Sequence, residues 1–160
     1  MQATTLKRRG FTLIELVAVM VVLAVLAGVA IPRYLDYAGR AKTSAVEGTL
    51  GGVRAGLANF YTDSIIEGNA AYPTHAELLE IGTVMQDAIP KNPFNNLSEV
   101  QQIGNLAAAQ SRTVSNTTTY GWNYFVDNTT DPPVAIFWAN TDDETTVLDN
   151  AGEPRTANEL

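Results

Sequence analysis

A single carboxylate, Glu15, stands near the start of a long apolar run, directly behind a short basic segment and a glycine. The order along the chain is Lys7–Arg9, then Gly10, then Phe11, with Glu15 four residues further on. Residues 16–31 carry no charged and no polar side chain. A charge inside a membrane-length apolar segment costs about 3 kcal/mol on insertion scales, so such a charge usually has a function.

The chemistry that these residue types allow is charge pairing. A cut after Gly10 would leave a positive amine on Phe11, about one helical turn from Glu15. The amine and the carboxylate could pair within one subunit, or with a neighbouring subunit staggered along a filament. In both cases a buried charge gains a partner, and the loss of either partner would be costly. We therefore expect Glu15 to fix register rather than to act in catalysis.

These residues resemble the type IV prepilin signal, which is shared by type IV pilins and type II secretion pseudopilins. Gly10 stands at the position before the cleavage point, and Phe11 at the position that becomes the N-methylated first residue. The segment Thr12–Leu16 reads as the usual start of the family helix. Ala30–Tyr34 matches the Ile-Pro-x-Tyr segment that closes its apolar half. The resemblance is strong over residues 7–60 and weaker beyond.

The resemblance implies a structural subunit that polymerises through its N-terminal helix. Its partners would be copies of itself or related pilins, the prepilin peptidase and N-methyltransferase, an inner-membrane assembly platform, and membrane lipid before assembly. It also implies that Glu15 pairs between subunits. Pilus and pseudopilus share the signal, so the choice between them stays open, as does the choice between a major and a minor subunit.

Two other interpretations also fit the length of the apolar run. From Phe11 to Ile31 it has 21 residues, or about 31 Å of helix, close to the thickness of a bilayer core. A cleaved secretory signal or a plain single-pass anchor would also be apolar, but neither gives Glu15 a role. The alternative function is then a membrane-anchored extracytoplasmic binding module. The basic residues Lys7–Arg9 predict a cytoplasmic N-terminus, a single pass and an extracytoplasmic head, which would later lie in a pilus or a periplasmic pseudopilus.

Composition excludes several classes of function. The formal net charge is −7 and would be −10 without the three basic residues of the leader, so no nucleic-acid partner is expected. The absence of cysteine rules out thiolate chemistry, and a single histidine with no nucleophile elbow or phosphate loop gives no catalytic constellation. We predict that the chain is not an enzyme and has no cofactor.

A long helix must carry this signal. We predict it over residues 11–66, with a kink or local melting at Pro32, because proline removes a backbone donor and clashes with the preceding turn. Termination at Pro32 is the alternative. The later half is amphipathic, with an apolar stripe at helical spacing that a sheet could cover. The members of this stripe are Val46, Leu50, Val53, Leu57 and Phe60. The predicted organisation is a leader at 1–10, a membrane or filament-core half at 11–33, an amphipathic half at 34–66 and a head at 67–160.

The predicted fold class is α+β, with the long helix packed on a small antiparallel sheet, as in the pilin fold. Tyr120–Val126 and Val134–Ala139 read as two antiparallel strands, and Thr145–Leu148 as a third, edge strand. Their residues Trp122, Phe125, Ile136 and Phe137 are predicted to face the helix. A capping box at Thr74–Glu77 predicts a short helix. Leu97–Gln110 reads as a helical or irregular insertion, and residues 150–160 as a frayed tail.

An acidic cluster lies late in the head, and its metal role is an open question. Asp142, Asp143 and Asp149 are weak calcium candidates, since major pseudopilins bind calcium with late acidic residues. Their spacing matches no oxygen-ligand loop, so solvated surface charge is the preferred interpretation.

Overall fold

The long helix α1 runs from Leu13 to Ile66 in a computed structural model that describes residues 10–160. It ends where the sequence predicts, because Gly68 adopts a positive φ of 84° and its N–H donates to the carbonyl of Ile65 at 3.0 Å. A left-handed glycine is the usual way for a helix to stop. The helix continues without a break through Pro32, so the alternative of termination there is wrong. The kink itself stays a prediction.

Contacts divide the chain between Ala38 and Gly39, so that residues Gly39–Ile66 of α1 belong with the head. In the first unit, the described residues 10–38 form the helix start and the apolar half of α1, and nearly all their side chains are exposed. The predicted boundary between residues 33 and 34 separates the membrane or filament-core half of the helix from its amphipathic half. Contacts within the chain do not test such a boundary, so it stays a prediction.

The head contains two small sheets, and the predicted α+β class is confirmed. In the first sheet β1 (Val100–Gln102), β2 (Trp122–Asp127) and β3 (Val134–Ala139) lie in the order β1-β2-β3. β2 and β3 are antiparallel as predicted, whereas β1 is parallel to β2. In the second sheet β4 (Glu144–Leu148) pairs with β5 (Pro154–Thr156). The third predicted strand therefore exists, but it lies in a different sheet from β2 and β3.

Two short helices complete the head. α2 (His75–Leu79) begins with the predicted capping box, in which the Glu77 carboxylate accepts from the Thr74 backbone N–H at 2.7 Å. His75 is half-buried, and its Nε2 lies 3.0 Å from the carbonyl oxygen of Val100. α3 (Leu106–Gln110) lies in the predicted insertion and is capped by Asn105.

The main core lies between the apolar stripe of α1 and one face of the first sheet. Leu50 is 1% exposed and Val53 is fully buried, and both belong to the cluster that contains Trp122, Tyr124 and Phe137. The rings of Trp122 and Phe137 stack with centroids 5.5 Å apart. Four of the five stripe residues are thus confirmed in the core beneath the sheet, whereas Phe60 is half-buried and lies outside this cluster.

The opposite face of the sheet is also buried, and this corrects part of the face assignment. Phe125 and Ile136 pack there with Trp138 and with Ala109 of α3, and not against α1. Side chains alternate along a strand, so Phe125 cannot share a face with Trp122 three residues earlier. Of the four side chains predicted to face the helix, Trp122 and Phe137 do so.

Buried asparagines tie the long loops to the sheet. Asn140 is fully buried and its amide donates to the carbonyl oxygens of Ser115 at 2.6 Å and Tyr120 at 3.0 Å. Its Oδ1 accepts from the Ser115 N–H and from Asn123 Nδ2. Such a network fixes the loop that precedes β2, since each buried amide would be costly to leave unpaired.

The prediction of a frayed tail is wrong. Residues 150–160 contain β5 and a 3-10 helix at Ala157–Glu159, in which Ala157 is fully buried. Leu160 packs against the main core. Two backbone hydrogen bonds hold this segment to the chain before β4. The N–H of Ala157 donates to the carbonyl of Asp143, and the N–H of Asn158 donates to the carbonyl of Thr141.

Candidate functional site

The predicted processing residues stand at the first described positions of the chain. Phe11 is 89% exposed and Gly10 is exposed as well. A Cβ added at Gly10 would meet nothing within 4 Å, so no packing within the described chain requires glycine there. The basic residues Lys7–Arg9 lie outside the described residues.

Glu15 has a local partner that the sequence analysis missed. Its Oε2 accepts from the Thr12 backbone N–H at 2.8 Å and from the Thr12 hydroxyl at 2.8 Å. In return the N–H of Glu15 donates to the Thr12 hydroxyl at 3.3 Å. Since α1 begins at Leu13, Thr12 is the N-cap and Glu15 the third helical residue, which is a capping box. The signal, threonine followed three residues later by glutamate, was readable in the sequence.

This geometry satisfies part of the carboxylate and leaves part of it available. Both hydrogen bonds within the described residues go to Oε2, so Oε1 can still accept from another donor. The Glu15 carboxylate also lies in the first turn of α1, where the helix dipole favours a negative charge. The arrangement can therefore hold an ionised carboxylate at the end of an apolar helix and present one oxygen to a cation.

An uncovered apolar surface follows Glu15. An 18-residue window of α1 has a mean hydropathy of 2.8 with none of its residues buried. Among residues 10–160, α1 alone has the length and apolar composition to cross a membrane. The exposed side chains include Leu16, Met20, Leu23, Leu26 and Ile31, each more than half exposed. Patches of this size on soluble monomers mark a membrane or protein interaction site.

The three acidic calcium candidates do not meet. Asp142 and Asp143 precede β4, whereas Asp149 follows its last residue, and a five-residue strand separates its ends by about 13–17 Å. Asp149 instead caps the β4–β5 turn by accepting from the N–H groups of Ala151 and Glu153, and these bonds lower its pKa. No group of three or more histidine, aspartate or glutamate side chains converges within residues 10–160. Calcium binding by any of them stays a prediction.

Comparison with known proteins assigns a class to the N-terminal segment. A family model described as the prokaryotic N-terminal methylation motif matches residues 5–31. The chain is 38% identical over 56 residues to fimbrial protein EcpC of Eikenella corrodens, covering 35% of this chain and 37% of that one. It is 38% identical over 53 residues to the type IV narrow pilus major component PilA5 of Thermus thermophilus, covering 33% and 46% of the two chains.

A secretion protein is similar over a longer stretch. The type II secretion system core protein G of Pseudomonas aeruginosa is 31% identical over 90 residues, which is 56% of this chain and 55% of that one. The chain thus spans about a third to a half of the length of these relatives. No solved structure is significantly similar to it.

The chain therefore combines an apolar N-terminal helix that carries a methylation motif with an α+β head. Its apolar helix fits a transmembrane anchor. In this N-terminal segment the chain is similar to type IV pilins and to a type II secretion core protein.

Proposed function

We propose that the chain is a structural subunit of a type IV pilus or a type II secretion pseudopilus, polymerised through its N-terminal helix. The observation that carries this is the coincidence of the methylation motif with a helix whose apolar half is uncovered. The apolar half lies in the membrane before assembly and among neighbouring copies afterwards. Relatives of both kinds match, so the type of filament is left to experiment.

Processing is the first step. Prepilin peptidase cuts after Gly10, and the new amine of Phe11 is then methylated. The chain's own packing gives no reason for glycine at position 10, which is consistent with a requirement set by the peptidase. N-terminal sequencing of the mature protein tests this step, and we expect a start at N-methyl-Phe11. A start after Ala27 or Ala30 would instead indicate an ordinary secretory signal.

Assembly is the second step, and the Glu15 carboxylate directs it by pairing with the amine of a neighbouring copy. Before the cut, the basic segment Lys7–Arg9 orients the chain with its N-terminus in the cytoplasm, so the head already lies outside and meets the assembly platform from there. Glu15→Ala should insert and be processed but assemble poorly. Normal filament yield from this variant would contradict the proposed pairing.

The capping box allows the charge of Glu15 to be separated from its role in the helix. Glutamine at the third helical position can still accept from the Thr12 N–H, so Glu15→Gln keeps the cap and removes the charge. Thr12→Val keeps the charge and removes the hydroxyl of the cap, at a cost of about 1 kcal/mol. We expect Glu15→Gln to lose filaments and Thr12→Val to retain most of them. The reverse order would mean that Glu15 acts mainly as a cap.

Mechanical shearing of cells separates filaments from anchored proteins. If the chain forms a pilus, we expect the mature protein as fibres in the sheared extracellular fraction. If it forms a pseudopilus, we expect such fibres only when the chain is overproduced. A chain that is cut at Gly10 yet stays entirely with the cell membrane would instead fit an anchored extracytoplasmic binding module.

A further inference from the structure

Two arginines line one small cavity of the head. The cavity has a volume of about 200 Å³ and lies between α1, β3 and the segment after α3. We call it the Arg54–Arg112 pocket. It is lined by Arg54, Leu57, Ala58, Tyr72, Arg112, Ala135, Ile136 and Phe137. Its walls are thus apolar or aromatic apart from the two guanidinium groups.

The hydrogen-bond partners of both guanidinium groups are backbone oxygens. Arg54 donates from Nη2 to the carbonyl of Phe137 at 3.2 Å and from Nη1 to the backbone oxygen of Leu160 at 3.0 Å. Arg112 donates from Nη1 to the carbonyl of Glu159. Each arginine has five N–H donors, so both keep donors for another acceptor. The peptide carbonyls of Phe137 and Glu159 satisfy hydrogen bonds without neutralising positive charge. The Leu160 oxygen, as part of a terminal carboxylate, would offset one of the two positive charges and leave the other.

Bringing two like charges together on a partly desolvated surface is unfavourable. Burial, and after it the charge of Arg112, lower the pKa of Arg54. The chain has only 10 lysine and arginine residues against 17 aspartate and glutamate residues. Two of its few cations therefore stand together where an anion would relieve their repulsion, and a guanidinium group matches a carboxylate in two-point geometry.

We propose that the Arg54–Arg112 pocket receives an aspartate or glutamate side chain from the head of a second copy of this chain. This proposal rests on the filament function proposed above, which brings heads together. Charge complementarity supports a second copy, because residues 39–160 carry 15 aspartate and glutamate residues against 6 lysine and arginine residues. The volume supports a side chain, since sites for small molecules usually measure about 300–1,000 Å³. The walls formed by Leu57 and Phe137 would exclude water and strengthen the pair.

The test compares arginine variants of the full-length chain in cells that assemble it. Arg112→Gln removes one of the two charges, and the readout is the ratio of sheared, filamentous protein to cell-associated protein. We expect this ratio to fall about tenfold, which corresponds to about 1.4 kcal/mol per contact. Arg112→Lys keeps the charge without the two-point geometry and should give an intermediate ratio. Unchanged melting of each detergent-solubilised variant would show that the head still folds.

Arg155→Gln is the matched control. Arg155 donates to the same Glu159 carbonyl as Arg112, but it does not line the pocket. We expect wild-type filaments from this variant. Equal losses from Arg112→Gln and Arg155→Gln would overturn the proposal, because both would then act through the C-terminal turn.

Charge reversal identifies the donor. Arg112→Glu should abolish assembly, and a lysine that replaces the correct acidic residue of the head should restore it. The chain has no cysteine, so Ala58→Cys at the rim, paired with a cysteine at the identified position, should then give disulfide-linked dimers in filaments. Each exposed aspartate and glutamate of the head is replaced by lysine in turn in the Arg112→Glu background. If none of these lysine substitutions restores assembly, docking by a second copy is overturned.

The outcomes distinguish this proposal from the one on which it rests. If the wild-type chain forms filaments and Arg112→Gln assembles equally well, the proposed docking at the pocket is refuted and the filament function stays intact. Absence of filaments from the wild-type chain would overturn both. A rise in melting temperature of the wild-type but not the Arg112→Gln protein in glutarate, with normal Arg112→Gln filaments, would mean that the pocket takes a free dicarboxylate and not a second copy.

Discussion

Gly121→Ala should strongly destabilise the head, because backbone lies where the new Cβ would be placed. Gly121 immediately precedes β2, and a Cβ there would stand 1.9 Å from the carbonyl oxygen of Leu97 and 2.7 Å from its carbonyl carbon. Ordinary contacts between such atoms are about 3.5–4.0 Å. The Leu97 backbone must therefore move by more than about 1 Å, which close-packed interiors resist.

The magnitude follows from the hydrogen bonds that this movement breaks. The carbonyl of Leu97 accepts from the N–H of Asn92 at 2.8 Å. The carbonyl of Gly121 accepts from Asn92 Nδ2 at 2.9 Å and from the N–H of Asn140 at 2.9 Å. A buried group left without its partner costs about 1–3 kcal/mol. Two such losses amount to about 2–6 kcal/mol, a large part of the 5–15 kcal/mol that stabilises a typical domain.

The assay is thermal unfolding of the full-length chain in detergent, followed by near-ultraviolet circular dichroism of Trp122 and Trp138. We expect the melting temperature of Gly121→Ala to fall by at least about 5 °C. Gly51→Ala is the matched control, since its Cβ would meet nothing within 4 Å and it lies inside α1. It should gain about 0.5–1 kcal/mol from helix propensity. A Gly121→Ala protein that melts within about 1 °C of wild type would refute the close approach.

Three further outcomes are expected. Tyr124→Phe removes the donor that reaches the carbonyl of Pro73 at 2.6 Å and should cost about 1–3 kcal/mol in a urea titration; no loss would mean that water replaces the hydroxyl. Burial, followed by the charges of Tyr72 and Glu77, raises the pKa of Tyr124 above its ordinary value of 10.0. Unfolded tyrosine ionises first, so the head should lose stability as the pH rises above about 10, and an equal loss in Tyr124→Phe would exclude this group as the cause. Millimolar calcium should leave the melting temperature unchanged, and a clear rise would establish the calcium site that the separation of Asp142 and Asp149 disfavours.

Local patterns predicted much of this fold because they report short-range physics. The stripe of α1 repeats at helical spacing, and the capping box of α2 lies within four residues. β2 and β3 combine β-prone residues with a proline-rich connection, so their pairing was readable. In each case neighbouring residues in the sequence determine the structure.

The elements that were missed depend on partners far away in the sequence. β1 has only three residues, and its register comes from parallel pairing with β2, which begins 22 residues after β1 begins. The C-terminal segment has no periodicity and is held by Arg54, Arg112 and buried contacts at Ala157. The Arg54–Arg112 pocket likewise joins residues that are 58 positions apart. Only Thr12 had a local signal that was overlooked.

The apolar surface of α1 explains why small polar contacts should decide assembly. Burying one large apolar side chain is worth about 1.5–3 kcal/mol, so the exposed residues between Leu16 and Ile31 together favour burial by tens of kcal/mol. In the proposed function both the bilayer and the filament core bury this same surface, so the hydrophobic contribution largely cancels between the two states. The balance then depends on interactions that differ between them, above all the partner of Glu15 and the contacts of the heads. Since each such contact is worth only about 1–3 kcal/mol, loss of Glu15 or of Arg112 should shift assembly about tenfold or more without unfolding the subunit.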